Sequence, residues 1–167
     1  MKRAAAVVML TLAMACGERA PVEGTIRASV TRPQLAPVAL AVPARAHPCA
    51  GGNGQVIAGV ADLQGMLVWL VPGGGPDTGA FTVNRGTDSV PGRHARVSLR
   101  YLAGDVAHNL ALDSGTVRVQ RDGAVLAGSV GGSGFDDAEN VRPLVDAVFQ
   151  GIRVLPDSEP CGAAAGA

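Results

Sequence analysis

The sequence has few aromatic residues and no excess of charge of either sign. Only one Trp, one Tyr and three Phe occur in 167 residues, and 14 basic residues balance 14 acidic ones. A chain without net charge has no field that concentrates nucleic acid, so we expect no nucleic-acid partner. The single Trp69 lies in the apolar run 66–71, which predicts a core position and not an exposed ring for binding carbohydrate.

The sequence also lacks a complete catalytic motif. Residues 127–131 resemble the G-x-S-x-G turn of hydrolases, but the first glycine is missing. The glycine clusters at 73–75 and 131–134 are followed by no lysine, so they predict turns and not phosphate-binding loops. We therefore expect no catalytic residue and no cofactor, and we predict that the protein is not an enzyme.

Metal ligands are equally sparse. The three histidines, His47, His94 and His108, share no motif, and His108 falls on the apolar face of a strand, which predicts a core histidine. Asp136, Asp137 and Glu139 form an acidic cluster without the alternating pattern of a calcium loop. The interpretation at this point is a solvated loop and no metal site.

The N-terminus has the features of an export signal. A basic start at residues 1–3 precedes about eleven mostly apolar residues, a run too short to cross a bilayer but suited to a signal peptide. The run ends in Ala13-Met14-Ala15-Cys16, which resembles the lipobox of bacterial lipoproteins, although Leu12 lies four residues before the cysteine and not three. A soluble secreted form cleaved after Ala15 is the alternative. We predict that residues 1–15 are a signal peptide and that Cys16 is lipidated, with palmitate among the acyl chains.

The number of cysteines favours the lipoprotein interpretation. Exported proteins enter an oxidising compartment, where an odd cysteine needs an explanation, and this chain has three. Lipidation of Cys16 leaves Cys49 and Cys161 as a disulfide pair. We therefore expect an exported protein on the periplasmic or cell-surface side, anchored by lipid, with the outer membrane as the favoured location.

Composition divides the mature chain into three parts. Residues 16–48 contain five prolines in addition to Cys16, which predicts an extended tether to the membrane. Residues 49–161 form the predicted β-domain, enclosed by the proposed disulfide. The small residues 162–167 predict a disordered tail.

Within residues 49–161 apolar and polar side chains alternate with a period of two. The clearest strand is 95–102, and the Asp122-Gly123 pair predicts a tight hairpin between strands near 114–120 and 125–130. Residues 136–154 are ambiguous: a strand from Leu144 to Leu155 with a bulge at Gly151 is favoured, and a short helix near 137–149 is the alternative. The predicted fold is an all-β antiparallel sandwich of seven to eight strands, with a small lipocalin-like β-barrel as the alternative.

Three strings, GAFTVN (79–84), SGTVRVQRDGAVLAGS (114–129) and VFQGIRV (148–154), are similar to segments of small uncharacterised bacterial envelope lipoproteins. The resemblance implies a β-rich domain in the outer envelope and carries over no catalytic or binding residue. We expect a non-catalytic structural or interaction module with an envelope protein as partner. The alternative is a carrier that holds a small-molecule ligand in a lipocalin-like cavity.

Overall fold

The computed structural model describes residues 24–52, 54–85, 90–136 and 138–161. All regular elements in these ranges are strands: β1 (Gly24–Thr31), β2 (Val38–Pro48), β3 (Gln55–Ala61), β4 (Gln64–Val71), β5 (Gly79–Val83), β6 (His94–Ala103), β7 (Val106–Asp122), β8 (Val125–Phe135) and β9 (Leu144–Arg153). This part of the chain contains no helix long and apolar enough to cross a membrane. The signal peptide 1–15, Cys16, Asp137 and the tail 162–167 lie outside the described residues.

The strands join into one mixed sheet whose ladder returns to its first strand. β1 pairs with β2 on one side and with β9 on the other, which gives the connectivity of a closed barrel. Neighbouring strands are antiparallel except β5 and β6, which are parallel. The short β5 lies between β6 and the second half of β7, whereas the first half of β7 pairs directly with β6.

The predicted all-β class is confirmed, with nine strands in the described ranges. The two layers expected of a sandwich are joined into one ring, as in the barrel that the sequence left as the alternative. The inward positions are occupied by buried side chains, the largest of which are Tyr101, Phe81 and Phe149. Alanine, valine, leucine and isoleucine occupy most of the other inward positions. Because the interior of a small barrel is narrow, these side chains and three aromatic rings fill it.

The predicted tether is wrong for residues 24–48, which form β1 and β2 and belong to the β-domain. Their apolar residues alternate inward with the period of a strand: Ile26, Ala28 and Val30 on β1, and Leu40, Val42, Ala44 and Ala46 on β2. The prolines do not interrupt this pattern. Pro33 and Pro37 lie in the β1–β2 loop, and Pro43, which has no N–H to donate, immediately precedes the part of β2 that pairs with β3.

The segment after residue 143 is the favoured strand, and the alternative helix near 137–149 is wrong for the described residues. β9 pairs with both β1 and β8. The predicted bulge is present, because Gln150 and Gly151 lie between residues paired to β8, and Gly151 has a φ of 65°. The extra residue changes the inward phase from Phe149 to Ile152, both of which are buried.

The hairpin between β7 and β8 is present, but its loop is one residue further along than predicted. Asp122 pairs with Val125, so the two loop residues are Gly123 and Ala124. Of these two loop residues, Gly123 has a positive φ, of 58°, and Ala124 does not. A type I′ turn requires positive φ at both positions, whereas a glycine at the first position alone is typical of type II′.

Alternation of strand direction gives the barrel two distinct ends. One end, here called the disulfide end, carries the β2–β3 and β7–β8 turns, the start of β1 and the segment after β9. Cys49 and Cys161 are bonded there, with their Cα atoms 5.2 Å apart, so the predicted disulfide is confirmed. The opposite end carries the β1–β2, β3–β4, β6–β7 and β8–β9 connections.

Candidate functional site

The surface contains a groove of about 820 Å³ on the outer face of five adjacent strands, β2, β1, β9, β8 and β7. Several of its lining residues are small and lie on the outward side of the sheet: Ser29, Ala39, Ala41, Ser129 and Gly131. Because side chains of this size extend little above the sheet, a ligand can approach the backbone closely. The groove therefore lies on the outer wall of the barrel, whereas the ligand cavity of a lipocalin lies inside the barrel.

Two arginines lie on opposite sides of this groove in a single cross-strand row. Arg27 on β1 pairs with Val148, Val148 with Ser129, and Ser129 with Arg118 on β7. Three strand spacings of about 4.8 Å separate the two arginine positions, or about 14 Å across the sheet. Both arginines are exposed, and neither makes an ion pair with another residue in the described ranges.

One acidic side chain lies between them. Asp146 on β9 pairs with Ser29 and Gly131, one row away from the arginines, and is exposed. Its carboxylate forms no ion pair within the described part of the chain. The groove therefore has cationic flanks and one negative charge between them, with small side chains along the floor.

A second group of polar residues is buried at the end opposite the disulfide. Asp136, directly after β8, accepts a hydrogen bond from the Tyr101 hydroxyl at 2.8 Å and contacts His108 Nδ1 at 2.9 Å through the same oxygen. Its other oxygen accepts from the Ala138 amide at 3.0 Å. Tyr101 and His108 are directly paired residues of the β6–β7 hairpin, and their rings stack with centroids 5.0 Å apart. We call these residues, with the two described next, the buried network.

Two further residues connect the buried network to the β1–β2 loop. Glu139 Oε1 lies 2.7 Å from a guanidinium nitrogen of Arg32 and 3.6 Å from His108 Nε2. The second distance exceeds hydrogen-bond length, so Arg32 is the main partner of Glu139. The side chain of Arg32 is only 10% exposed, which makes this pair less accessible to water than an ordinary surface ion pair.

Burial and hydrogen bonding both shift the pKa values of Asp136 and Tyr101 in the buried network. Burial raises the pKa of the Asp136 carboxyl, but hydrogen bonds from Tyr101, the Ala138 amide and His108 outweigh it, so the pKa lies below its ordinary value. Burial, and then the bond to Asp136, raise the pKa of the Tyr101 hydroxyl. Asp136 is therefore ionised and can only accept, which means that His108 Nδ1 carries the donated proton.

His108, Asp136 and Glu139 bring potential metal ligands within 4.8 Å of one another. Two features favour a structural network over a metal centre. Both Asp136 oxygens already accept hydrogen bonds, and the guanidinium of Arg32 supplies a cation beside Glu139. We therefore assign these three residues to the closure of this end of the barrel.

The structure changes the interpretation of several residues singled out in the sequence. His108 is buried, as predicted, whereas the prediction of a solvated loop is wrong for Asp136, which is 1% exposed. Trp69 is not in the interior: it lies half-buried on the outer face of β4, with the Arg96 guanidinium 4.7 Å from its ring centroid. Sequence reasoning missed Arg27 and Arg118 as a pair, because only the strand register places them in one row.

Comparison with models of protein families finds no match, and comparisons with curated proteins and with solved structures find none either.

Proposed function

We propose that the protein is an exported, lipid-anchored interaction module of the bacterial envelope, without catalytic activity, that docks a protein partner in the outer groove. The position of the groove supports this proposal most directly. A lipocalin-like carrier needs a cavity inside the barrel, but the described inward positions are filled by packed side chains. The large concave surface instead lies outside, where a partner can reach it.

The disulfide and the position of β1 support the envelope location. A bond between Cys49 and Cys161 is typical of an oxidising compartment. Lipidation at Cys16 would leave about eight residues before β1, which span at most about 29 Å when extended. A tether of this length would hold the barrel close to the membrane, with its disulfide end nearest the lipid.

The anchor is tested by replacing Cys16 with serine in the source bacterium. We expect the parent protein in the membrane fraction, with an N-terminal cysteine whose mass includes a diacylglyceryl group, and Cys16→Ser outside that fraction. Thr11→Ser, which changes the leader but keeps Cys16, should behave as the parent does. A parent protein that is fully soluble and begins at an unmodified Cys16 would contradict the anchor.

Docking in the groove is tested by site-specific photocrosslinking in the same cells. A photoreactive phenylalanine analogue at Ser29 or Ser129 should yield one discrete adduct with a protein, the same from both positions. The matched control is Ser98, a half-buried serine on the outer face of β6, away from the groove. Adducts that do not differ between Ser29 and Ser98, or no adduct from either groove position, would contradict docking at this surface.

A further inference from the structure

We infer that the groove recognises an extended acidic segment of its partner, in which two carboxylates lie four residues apart. This inference rests on the proposed function and specifies the chemistry of the same surface. It depends on three observations: the spacing of Arg27 and Arg118, the small residues between them, and the position of Asp146.

The spacing selects the separation of the two carboxylates. Three strand spacings separate the backbone positions of Arg27 and Arg118 by about 14 Å along the sheet. An extended chain rises about 3.3 Å per residue, so residues i and i+4 lie about 13 Å apart on the same face. Residues i and i+3 lie on opposite faces, and a segment with that spacing can present only one carboxylate to the groove at a time.

The width of the groove favours a polypeptide that runs across the strands, at a steep angle to the strand direction. The four spacings from β2 to β7 give a groove about 19 Å wide, which accommodates about six extended residues. Between the arginines the outward row contains Val148 and Ser129, and the next row contains Ser29, Asp146 and Gly131. Apart from Asp146 these positions are small or aliphatic, so the groove can accept uncharged apolar and polar side chains between the two carboxylates.

Asp146 argues against a continuous anionic surface as the ligand. Asp146 belongs to β9, which lies between the strands of the two arginines, and its carboxylate makes no ion pair in the described residues. Phosphate groups of a lipid bilayer would form an extended negative sheet, which Asp146 repels, and a flat surface cannot enter a concave groove. Two separate carboxylates contact the arginines and leave the position opposite Asp146 to an uncharged residue.

The test uses the mature chain carrying Cys16→Ser and a fluorescein-labelled peptide, Thr-Glu-Val-Thr-Val-Glu-Thr, followed by fluorescence anisotropy. We expect saturable binding that weakens with added salt, because the ion pairs are exposed. Arg27→Ala and Arg118→Ala should each raise Kd about threefold to fivefold, and the double variant about tenfold or more. Arg100→Ala, an exposed arginine on β6 outside the groove, should leave Kd unchanged.

Two peptides and one membrane probe decide whether the inference holds. Thr-Glu-Val-Val-Glu-Thr-Thr has the same composition with carboxylates three residues apart and should bind several-fold more weakly, and lysines in place of both glutamates should abolish binding. Equal binding of the two glutamate peptides, or insensitivity to Arg27→Ala and Arg118→Ala, would overturn the inference. Stronger binding to phosphatidylglycerol vesicles with the same arginine dependence would also overturn it. Crosslinking at Ser29 together with no binding of the peptides would leave the proposed function intact and reject only the acidic segment.

Discussion

Replacement of both Cys49 and Cys161 by alanine should lower the free energy of unfolding by about 4–5 kcal/mol. The bond joins residues 112 apart in the chain, and a crosslink over so long a loop removes much of the entropy of the unfolded chain. In the folded protein it ties the segment after β9 to the β2–β3 turn. The other contacts of this segment at the disulfide end include backbone hydrogen bonds, such as Ala50 N to Glu159 O at 2.8 Å, and the His47 side chain, which lies 3.4 Å from a carboxylate oxygen of Glu159.

Urea denaturation followed by circular dichroism measures the loss, with and without reductant. Dithiothreitol should destabilise the parent by about as much as the double substitution does and should leave the alanine variant unchanged. This comparison separates the effect of the crosslink from the effect of the new side chains, because Cys49 is buried and its replacement alters packing. A reduced parent as stable as the oxidised one would contradict the prediction.

Replacement of Asp136 by asparagine should cost about 3 kcal/mol at pH 7. The carboxylate accepts hydrogen bonds from Tyr101, His108 and the Ala138 amide, all within 3.0 Å. An amide of the same size places an NH₂ group where one of these donors now points, and it removes the negative charge that the buried donors face. Tyr101→Phe removes a single donor and should cost less, about 1 kcal/mol.

The effect of Asp136 should depend on pH in a defined direction. Its pKa in the folded protein lies below the ordinary value, so the unfolded chain takes up the proton first as pH falls. The carboxylate therefore contributes its full stabilisation above the ordinary aspartate pKa of about 3.9, and this contribution is lost as pH falls through the lower folded value. The free energy of unfolding of the parent should fall below about pH 4, and less steeply in Asp136→Asn.

Asp113 provides the control for this experiment. Hydrogen bonding to Arg142 holds the pKa of its carboxyl below the ordinary value as well, but Arg142 is half exposed. Asp113→Asn should therefore cause a much smaller loss at pH 7, because water screens the pair. The free energy of unfolding of Asp136→Asn should still fall at acid pH, and this fall should be smaller in the variant that carries both Asp136→Asn and Asp113→Asn. If Asp136→Asn and Asp113→Asn lowered the free energy of unfolding equally at pH 7, the burial of Asp136 would not explain its contribution to stability.

The sequence by itself determined the disulfide and most of the strands after residue 54, but not β1 and β2. Alternation of apolar and polar residues is a local property of a strand with one face buried, so it predicted most of the pattern from 95 to 130 and the phase change at Gly151. The pairing of Cys49 with Cys161 followed from counting three cysteines, with Cys16 predicted to carry the lipid. The same alternation was present in 24–48, but prolines in the loop and at the outward position 43 made the segment resemble a tether.

Only the tertiary structure decided which polar residues act together. Asp136 meets Tyr101 and His108 across separations of 35 and 28 residues, so no local pattern distinguished it from a solvated aspartate. Arg27 and Arg118 belong to strands far apart in the chain, and they share a row only because β1, β9, β8 and β7 pair in that register. Periodicity reports the face on which a side chain lies, whereas its neighbours on that face depend on strand order and register, which long-range packing of the closed sheet sets.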